Sequence, residues 1–416
     1  MSIDKTSYSS KEKAFSRLIK VYENGKFIEK EFLIPSESPC CGTDEYSSFS
    51  LTGGLFPFSH PVLSDKSIEL FILPGFVDVH VHLREPGFSY KETIETGTLA
   101  AANGGFTAVC SMPNISPAPD SIENLKVQTD LIKQKAKVHV YPYACITKGS
   151  KGECLSDMDE LAEYVIAFTD DGKGVQSDEM MQSAMLKAKS LNKMIVAHCE
   201  DERYGTSAES EYIQVKRDLE LVSKIGCKYH LCHASTKESI QLIREAKKAG
   251  LPVSVETAPH YLVFCEDDVK DSGDFKMNPP IRKKADQEAL IEGICDGTID
   301  MIATDHAPHS AEEKGRGFKN SLNGIVGLET SFPVLYTNFV KKGIISFEQL
   351  IKLMSDNPRK IFGIPSNNSD GILIETSAKY EVKKENFRTM GRSMPYEGME
   401  VYGKCLATFI NGRMVK

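Results

Sequence analysis

Several features that mark common functional classes are missing from this sequence of 416 residues. It has no excess of basic residues, and its formal net charge of -8 argues against a general nucleic-acid-binding protein. It has no run of about 18 apolar residues and no apolar signal-peptide core near its start. It has no Cys-x-x-Cys pair, which argues against a zinc finger built on thiolates. We therefore expect a soluble, cytoplasmic protein whose cysteines are small buried side chains rather than a disulfide framework.

What the sequence does contain is a series of short apolar segments, each ending in polar residues. Helix-like stretches with an apolar spacing near 3.6 residues separate them, for example residues 121–137 and 236–250. Strands that alternate with helices predict an α/β fold with a parallel sheet, and eight such units predict a (β/α)8 TIM barrel. The predicted strands span residues 76–82, 106–114, 138–147, 164–172, 194–201, 229–236, 253–260 and 300–309.

Both ends of the sequence carry patterns that do not fit this alternation. An Asn-Gly pair at residues 24–25 predicts a β-hairpin, and a second pair at residues 411–412 predicts another. We expect the two ends to pair in one small β-sandwich beside the barrel. The predicted domains are 1–74 for the N-terminal part of the small β domain, 75–365 for the barrel and 366–416 for the C-terminal part.

Polar side chains collect where the predicted strands end, beginning with His80 and His82 in the segment VHVH. Side chains two residues apart on a strand point to the same face, so these histidines would converge, and Arg84 would join them on a continuing strand. In a TIM barrel the active site lies at the carboxyl ends of the strands. Seven of the ten histidines fall at such ends, which favours a metal site. They are His80, His82, His198, His233, His260, His306 and His309.

The residue types at these strand ends suit one or two zinc ions per subunit. The predicted ligands are His80, His82 and Asp305 for one ion, His198 and His233 for a second, and Asp171 as a bridge. Water bound by such ions loses a proton near neutral pH and becomes a nucleophile. Asp305 would then act as the catalytic group that accepts this proton and hands it to a leaving group.

Other polar residues near these strand ends have structural interpretations. His230 lies one position off the metal face and His139 lies early in its strand, so both are expected to be structural. Asp170 and Asp171 are adjacent and cannot share one face of a strand, so only one of them is expected to be a ligand. Asp78 lies one layer deeper than the first histidines and is either an outer partner of the site or a buried structural acid.

Seven segments together resemble the bacterial type I dihydroorotases of the amidohydrolase superfamily. They are VDVHVHLREPG, SMPN, FTDDG, VAHCED, CHAST, KMNPPIR and IATDHAPH, and the resemblance covers roughly residues 70–365. It implies the metal ligands given above, with Asp171 on strand four, where many hydantoinases and allantoinases carry a carboxylated lysine. It also implies residues that bind the substrate. These are Arg84, Asn114 and His309 for its carboxylate, Asn278 for the ring amide and the backbone N–H of Gly324.

The activity implied by the resemblance is the metal-dependent, reversible hydrolysis of (S)-dihydroorotate to N-carbamoyl-L-aspartate, a step of de novo pyrimidine biosynthesis. We expect a homodimer, and an association with aspartate transcarbamoylase is a further expectation. Two alternatives stay open. The first is another cyclic amidohydrolase, an allantoinase or hydantoinase, against which the missing strand-four lysine counts. The second is a non-catalytic, dihydroorotase-like partner of aspartate transcarbamoylase, which the departure from the usual Pro-Phe-Gly at Leu322-Asn323-Gly324 keeps open.

Overall fold

The computed structural model describes residues 14–35, 50–51, 54–55 and 61–416, which form an α/β structure with many parallel strands. The strands are β1 (Ala14–Glu23), β2 (Lys26–Pro35), β3 (Gly54–Leu55), β4 (Leu70–Leu73), β5 (Phe76–Val81), β6 (Phe106–Ser111), β7 (His139–Pro142), β8 (Met194–Ala197), β9 (Lys228–Leu231), β10 (Val253–Thr257), β11 (Met301–Ile302), β12 (Gly371–Glu375), β13 (Tyr380–Glu381), β14 (Glu400–Val401), β15 (Lys404–Ile410) and β16 (Arg413–Met414). The α-helices are α1 (Pro61–Ser64), α2 (Ile94–Gly104), α3 (Ile122–Lys135), α4 (Met158–Leu161), α5 (Asp178–Ser190), α6 (Ala208–Ile225), α7 (Lys237–Lys248), α8 (Pro259–Val263), α9 (Lys284–Asp296), α10 (Ala311–Lys314), α11 (Gly317–Asn320), α12 (Ser331–Leu335), α13 (Phe347–Ile351) and α14 (Asn357–Phe362).

The parallel strands pair in chain order. Strand β5 pairs with β6 and β6 with β7, and strands β8 to β11 pair in the same way. Between β7 and β8, Phe168 forms parallel bridges with Ala144 on one side and Ile195 on the other. A bridge between Val81 and His306 connects the segment after β11 back to β5. The carboxyl ends of these strands therefore lie near one another.

Seven of the eight predicted strands are confirmed as strands, and the fourth is much shorter than predicted. In place of a strand over residues 164–172, the structure has only the bridges at Phe168. The chain turns soon afterwards, because Gly172 and Gly174 adopt φ values of 86° and 59°, which favour glycine. This early turn leaves Asp170 and Asp171 in a loop at the strand end.

Apolar residues cover both faces of the parallel strands. Alternate residues such as Val77 and Val79 of β5 belong to one buried cluster, which also contains residues of β6, β8 and β11. The opposite face packs against the helices that follow each strand, as Ile240 and Ile243 of α7 illustrate. Helix α7 begins after Thr236, whose hydroxyl accepts a hydrogen bond from the backbone N–H of the third residue of the helix.

Strands from both ends of the chain pair in one seven-stranded sheet, in the order β16-β15-β12-β4-β1-β2-β3. Both predicted hairpins are present: β1 pairs with β2 and β15 with β16, each antiparallel. The turn residues Asn24 and Asn411 both have φ of 50°, as a two-residue hairpin turn requires. Strands from the two ends therefore share one sheet, and the β-sandwich stays a prediction.

Two of the expectations from composition can be compared with the described residues. Among them, no helix is both long and apolar enough to span a bilayer. Cys110, Cys145 and Cys232 are buried, free thiols, as expected for small apolar side chains.

Candidate metal centre

The predicted ligand side chains meet at the carboxyl ends of the parallel strands. They are His80, His82, Asp171, His198, His233 and Asp305, and none is more than 7% exposed. His80 lies on β5 and His82 just beyond its end, while the others follow the Phe168 bridge, β8, β9 and β11. Five separate strand ends therefore contribute to one buried cluster.

The first part of the cluster pairs two histidines with two carboxylates. The Nε2 atom of His82 lies 3.1 Å from Oδ1 of Asp305 and 3.5 Å from Oδ2 of Asp171. The Nε2 atom of His80 lies 3.4 Å from Oδ1 of Asp305 and 3.3 Å from Oδ1 of Asp171. The structure thus brings together the ligands predicted for the first ion.

The second part of the cluster contains His198 and His233. The Nδ1 atom of His198 lies 2.9 Å from Nε2 of His233, and these atoms lie 3.6 Å and 3.9 Å from Oδ1 of Asp171. Asp171 is therefore near both parts of the cluster, as a bridging ligand requires.

Two atoms at the middle of the cluster test whether it suits a cation. His80 Nε2 and Asp171 Oδ1 are buried and have no hydrogen-bond partner among the described residues. An unpaired buried polar atom costs about 1–3 kcal/mol, so two of them side by side fit the role of metal ligands better than a structural role. Imidazole nitrogens and carboxylate oxygens are ligands that zinc accepts. The residues present therefore fit a divalent metal ion.

The charge states of the cluster also suit metal binding. Burial raises the pKa of Asp171, but the nearby His80 and His82 imidazoles outweigh it and hold that pKa well below its usual range. The same opposition between burial and the imidazoles lowers the pKa of Asp305 to about 2. Burial and neighbouring positive charge lower the pKa of His233 to about 3. Near neutral pH the carboxylates are ionised and His233 is neutral, which are the forms that bind metal. Despite their burial, nearby carboxylates raise the pKa of His80 and His198, so a metal ion would displace protons from these two rings.

Three residues at the site have backbone conformations that residues other than glycine rarely adopt. The φ angles are 60° for Arg84, 30° for His233 and 48° for Asp305. Such conformations cost about 1–3 kcal/mol each and concentrate at functional sites.

The expectation that Arg84 continues the first strand is wrong, because β5 ends at Val81. Arg84 reaches the site through a turn instead, and its Nε donates to the carbonyl of Pro308 at 3.1 Å.

A buried carboxylate that the sequence pattern did not reveal, Glu256 of β10, contacts the cluster. Its Oε1 lies 2.7 Å from Nδ1 of His80 and accepts the backbone N–H of His233 at 3.1 Å. A hydrogen on Nδ1 of His80 is then donated to Glu256, and Nε2 is left to bind a metal. The sequence signal was a glutamate within the apolar segment VSVET, since a buried charge needs a partner.

The residues that received structural interpretations lie outside the ligand cluster. His230 is fully buried. Its Nδ1 lies 2.8 Å from Oγ of Ser254, and its Nε2 lies 3.1 Å from Oε2 of Glu256. His139 lies 2.9 Å from Asp370, near the start of its strand. Asp170 accepts backbone N–H groups of the loop after β7, and Asp78 accepts two backbone N–H groups. The carboxylate of Asp78 thus ties β5 to the chain after β11.

Two histidines at strand ends do not join the metal ligands. The ring of His260 packs against Tyr261 at 4.1 Å between centroids, and burial lowers its pKa to about 4. His306 is fully buried, and its Nδ1 accepts the backbone N–H of Gly327 at 3.2 Å. Position at a strand end therefore does not by itself separate the candidate ligands from these two histidines.

A cavity beside the cluster is lined by each residue predicted to bind substrate. These are Arg84, Asn114, Asn278, His309 and Gly324. Asn114 contacts one histidine and one carboxylate of the cluster. Its Oδ1 is 2.8 Å from Nδ1 of His82, and its Nδ2 donates to Asp171 at 3.0 Å. Asn278 donates to Glu200, whose carboxylate also lies 3.1 Å from Nε2 of His198. Glu200 is a further residue that sequence reasoning did not select.

The loop that departs from the usual Pro-Phe-Gly forms part of the cavity wall. Gly324 has φ of 132°, and a Cβ atom there would lie 2.5 Å from the carbonyl oxygen of Ala307, so glycine is required. Its backbone N–H donates to the carbonyl of Lys276 at 3.0 Å. In this structure that N–H is therefore engaged with protein rather than directed at the cavity.

Comparison with known proteins gives a consistent result. A family model described as Dihydro-orotase-like matches residues 70–213. The chain is 47% identical over 369 residues to a dihydroorotase of Bacillus cereus, across 82% of this chain and 86% of that protein. A dihydroorotase of Fusobacterium nucleatum is likewise 47% identical over 369 residues, across 83% of this chain and 87% of that protein.

Solved structures show which fold the chain shares. An L-hydantoinase (dihydropyrimidinase) from Arthrobacter aurescens superimposes with a TM-score of 0.80 at 24% identity, across 96% of this chain and 95% of that one. A dihydropyrimidinase from Brevibacillus agri superimposes with a TM-score of 0.79 at 21% identity, across the same shares of the two chains. At these identities the likeness concerns the fold alone.

Proposed function

Because this chain belongs to the dihydroorotase family, we infer that its strand-end site catalyses the reversible hydrolysis of (S)-dihydroorotate to N-carbamoyl-L-aspartate. The observation that carries this inference is the cavity in which a cluster of metal-ligand side chains meets Arg84 and His309. One part of the cavity suits a hydrolytic metal site, and the other offers donors for a carboxylate. The reaction is a step of de novo pyrimidine biosynthesis.

We propose that the cluster holds one or two zinc ions, with Asp171 shared between them. The amidohydrolase family is metal-dependent, and the donor set of imidazoles and carboxylates supports this choice. A divalent ion held there supplies Lewis acidity, which polarises a carbonyl group and makes water a stronger nucleophile near neutral pH. Glu256 and Asn114 orient His80 and His82 through hydrogen bonds at their Nδ1 atoms.

Asp305 is the residue that moves the proton in this proposal. It lines the cavity and is ionised near neutral pH, which is the form in which a carboxylate accepts a proton from the attacking water. It then gives that proton to the ring nitrogen as the C–N bond breaks. In the ring-closing direction, Asp305 takes the proton from the nitrogen and returns it to the departing oxygen.

The remaining cavity residues bind and orient the substrate. Arg84, Asn114 and His309 hold the ring carboxylate, since a guanidinium offers paired donors that suit it. Asn278 contacts the ring amide. The N–H of Gly324 can reach the substrate only when the loop gives up its hydrogen bond to the carbonyl of Lys276. All five residues line the same cavity, which supports this assignment.

We also propose a finer description of the fold. The parallel pairings that start and end at β5 form a (β/α)8 barrel over residues 75–365. The seven-stranded sheet belongs to a small β domain over residues 1–74 and 366–416, of which 1–13, 36–49, 52–53 and 56–60 lie outside the described residues. The cytoplasmic location stays a prediction from the composition. The homodimer and the association with aspartate transcarbamoylase stay predictions as well.

Replacing Arg84 with methionine is the test that separates this function from other cyclic amide hydrolases. Dihydroorotate carries a ring carboxylate, whereas hydantoin and allantoin do not. Losing one partner of a buried charge pair costs about 2 to 5 kcal/mol, or roughly 30- to 5,000-fold in kcat/KM for dihydroorotate. We expect the wild type to prefer dihydroorotate over both ureides, and Arg84→Met to reduce that preference. The measurement is kcat/KM for the three substrates on both proteins.

An exposed arginine supplies the matched control for this substitution. Arg316 pairs with Glu312 at the surface, so Arg316→Met should leave all three rates unchanged. A wild type that prefers a ureide, or an Arg84→Met protein that loses the same factor on all substrates, would contradict the assignment.

The reaction equilibrium is expected to move with pH. Hydrolysis creates a carboxyl group with a pKa of about 4, so above that pH each turnover releases one proton. The equilibrium ratio of carbamoyl aspartate to dihydroorotate should then rise about tenfold for each unit of pH. The equilibrium favours ring closure as the pH falls. At low pH the histidine ligands bind protons in place of metal, which slows the approach to equilibrium without changing the ratio. A ratio that is equal in mildly acidic and alkaline buffer would rule out this substrate and product pair.

A further inference from the structure

A lysine that no part of the proposed mechanism uses lies against His309. Lys91 belongs to the loop between β5 and α2, and its side chain is only 11% exposed. Its Nζ lies 3.2 Å from Nδ1 of His309 and 3.1 Å from Oε1 of Glu313. The ammonium group is therefore held between an imidazole and a carboxylate at the edge of the cavity.

Glu313 fixes this arrangement to the chain that follows His309. It lies in the first turn of α10, where its Oε2 accepts the backbone N–H of Ser310 at 3.0 Å. The hydroxyl of Tyr90 donates to its Oε1 at 3.2 Å. Lys91 is thus tied to the histidine and also to the helix that begins just after it.

The other nitrogen of His309 shows which tautomer the ring adopts. Nε2 lies 2.8 Å from the backbone carbonyl oxygen of Asn323, and an oxygen of this kind can only accept. Nε2 must therefore carry the hydrogen. A neutral imidazole has one N–H, so Nδ1 is an acceptor, which suits the ammonium of Lys91 because that group can only donate. Burial, with the charges of Arg84 and Lys91, lowers the pKa of His309 to about 4, so the ring is neutral near neutral pH.

The opposite tautomer has weaker contacts. It would let Nδ1 donate to Glu313 at 3.3 Å and Nε2 accept from Arg84 at 3.3 Å. It would also place the lone pair of Nε2 against the Asn323 oxygen at 2.8 Å and an N–H against the ammonium at 3.2 Å. The two repulsive contacts are shorter than the two attractive ones, so the first tautomer is favoured.

We propose that Lys91 is a positioning residue for carboxylate recognition: it holds His309 with its hydrogen on Nε2, so that the ring presents a donor to the cavity. This inference rests on the proposed function, in which His309 and Arg84 bind the ring carboxylate of the substrate. The carboxylate replaces the Asn323 carbonyl as acceptor of the Nε2 hydrogen. Without the ammonium, the ring can reverse its tautomer toward Glu313, and Nε2 then turns a lone pair toward an anion.

The test combines steady-state kinetics with ¹⁵N NMR of His309 in the zinc-loaded protein. Removing the ammonium with Lys91→Met should raise KM for dihydroorotate about tenfold and change kcat less than about twofold. KM should change more than kcat because a contact made equally in the ground and transition states affects binding alone. The ¹⁵N shifts, assigned by loss of the signal in His309→Asn, should show hydrogen on Nε2 in the wild type and a shift toward Nδ1 in Lys91→Met. Lys91→Arg, which keeps a donor, should recover most of the affinity.

A distant lysine provides the control. Lys126 is a highly exposed residue of α3 that pairs with Asp130, so Lys126→Met should leave KM and the His309 signal unchanged. A wild-type spectrum with hydrogen on Nδ1 would overturn the inference, even where Lys91→Met fails to fold. An unchanged KM in folded Lys91→Met would also overturn it. A wild type that does not act on dihydroorotate would instead refute the proposed function, while the NMR result would still decide the tautomer.

Discussion

Treatment with a chelator is expected to abolish turnover of dihydroorotate, and added zinc is expected to restore it. The buried cluster places imidazole nitrogens and carboxylate oxygens within 4.8 Å of one another in groups of three. Near neutral pH Asp171 and Asp305 are ionised, and despite burial these carboxylates raise the pKa of His80, so a divalent cation is expected to replace protons as the counter-charge. Because the proposed chemistry depends on Lewis acidity in this cluster, removing the metal ion should reduce turnover more than any other change considered.

The measurement is turnover and elemental analysis on the same samples, before and after chelation. Two histidine variants make the result specific to the cluster. His198→Asn should bind less zinc and lose activity, because His198 lies at the second part of the cluster. His139→Asn should keep both, because His139 pairs with Asp370 away from the site. Full activity in a preparation shown to contain no metal would refute the metal-dependent mechanism.

The sequence predicts the overall arrangement because local patterns determine it. Apolar runs that alternate with amphipathic stretches predict the parallel strands and their helices, and the two Asn-Gly pairs predict the hairpins. The strand-end rule then places the ligands on one side of the sheet. It also includes His260 and His306, since the pattern places a residue near the site but does not say which way its side chain packs.

The parts that could not be predicted depend on contacts between residues far apart in the chain. Glu256 contacts His80 across 176 positions, and Lys91 contacts His309 across 218. No spacing rule links residues at such distances, so only the folded chain reveals these partners. The prediction made the fourth strand too long for a different reason: the apolar run continues toward Thr169, but glycines turn the chain soon after it. Arg84 was predicted to reach the cavity on a continuing strand, but it reaches the cavity through a turn that the strand pattern did not predict.

Replacing Asp305 with asparagine is expected to reduce kcat by about a hundred- to ten-thousand-fold, with a much smaller change in substrate binding. A positioned proton-transfer group contributes about this factor to the rate. Asparagine keeps the size of the side chain and one oxygen near Nε2 of His82, where the aspartate lies at 3.1 Å. It cannot accept the proton from water or give one to the ring nitrogen. The Lys91 and Arg84 side of the cavity is unaltered, so the carboxylate of the substrate should still bind.

Metal content decides how this result is read, because Asp305 is also a predicted ligand. Zinc is therefore measured on each sample, and kcat is compared per metal-loaded site. A loss of kcat in fully loaded Asp305→Asn assigns the proton transfer to this carboxylate. A loaded variant with a near wild-type kcat would show that another group moves the proton. Glu200 would then be a candidate, since it is a partly exposed carboxylate beside His198 and Asn278. Asp305→Asn and Glu200→Gln, assayed side by side at equal metal content, separate these two assignments.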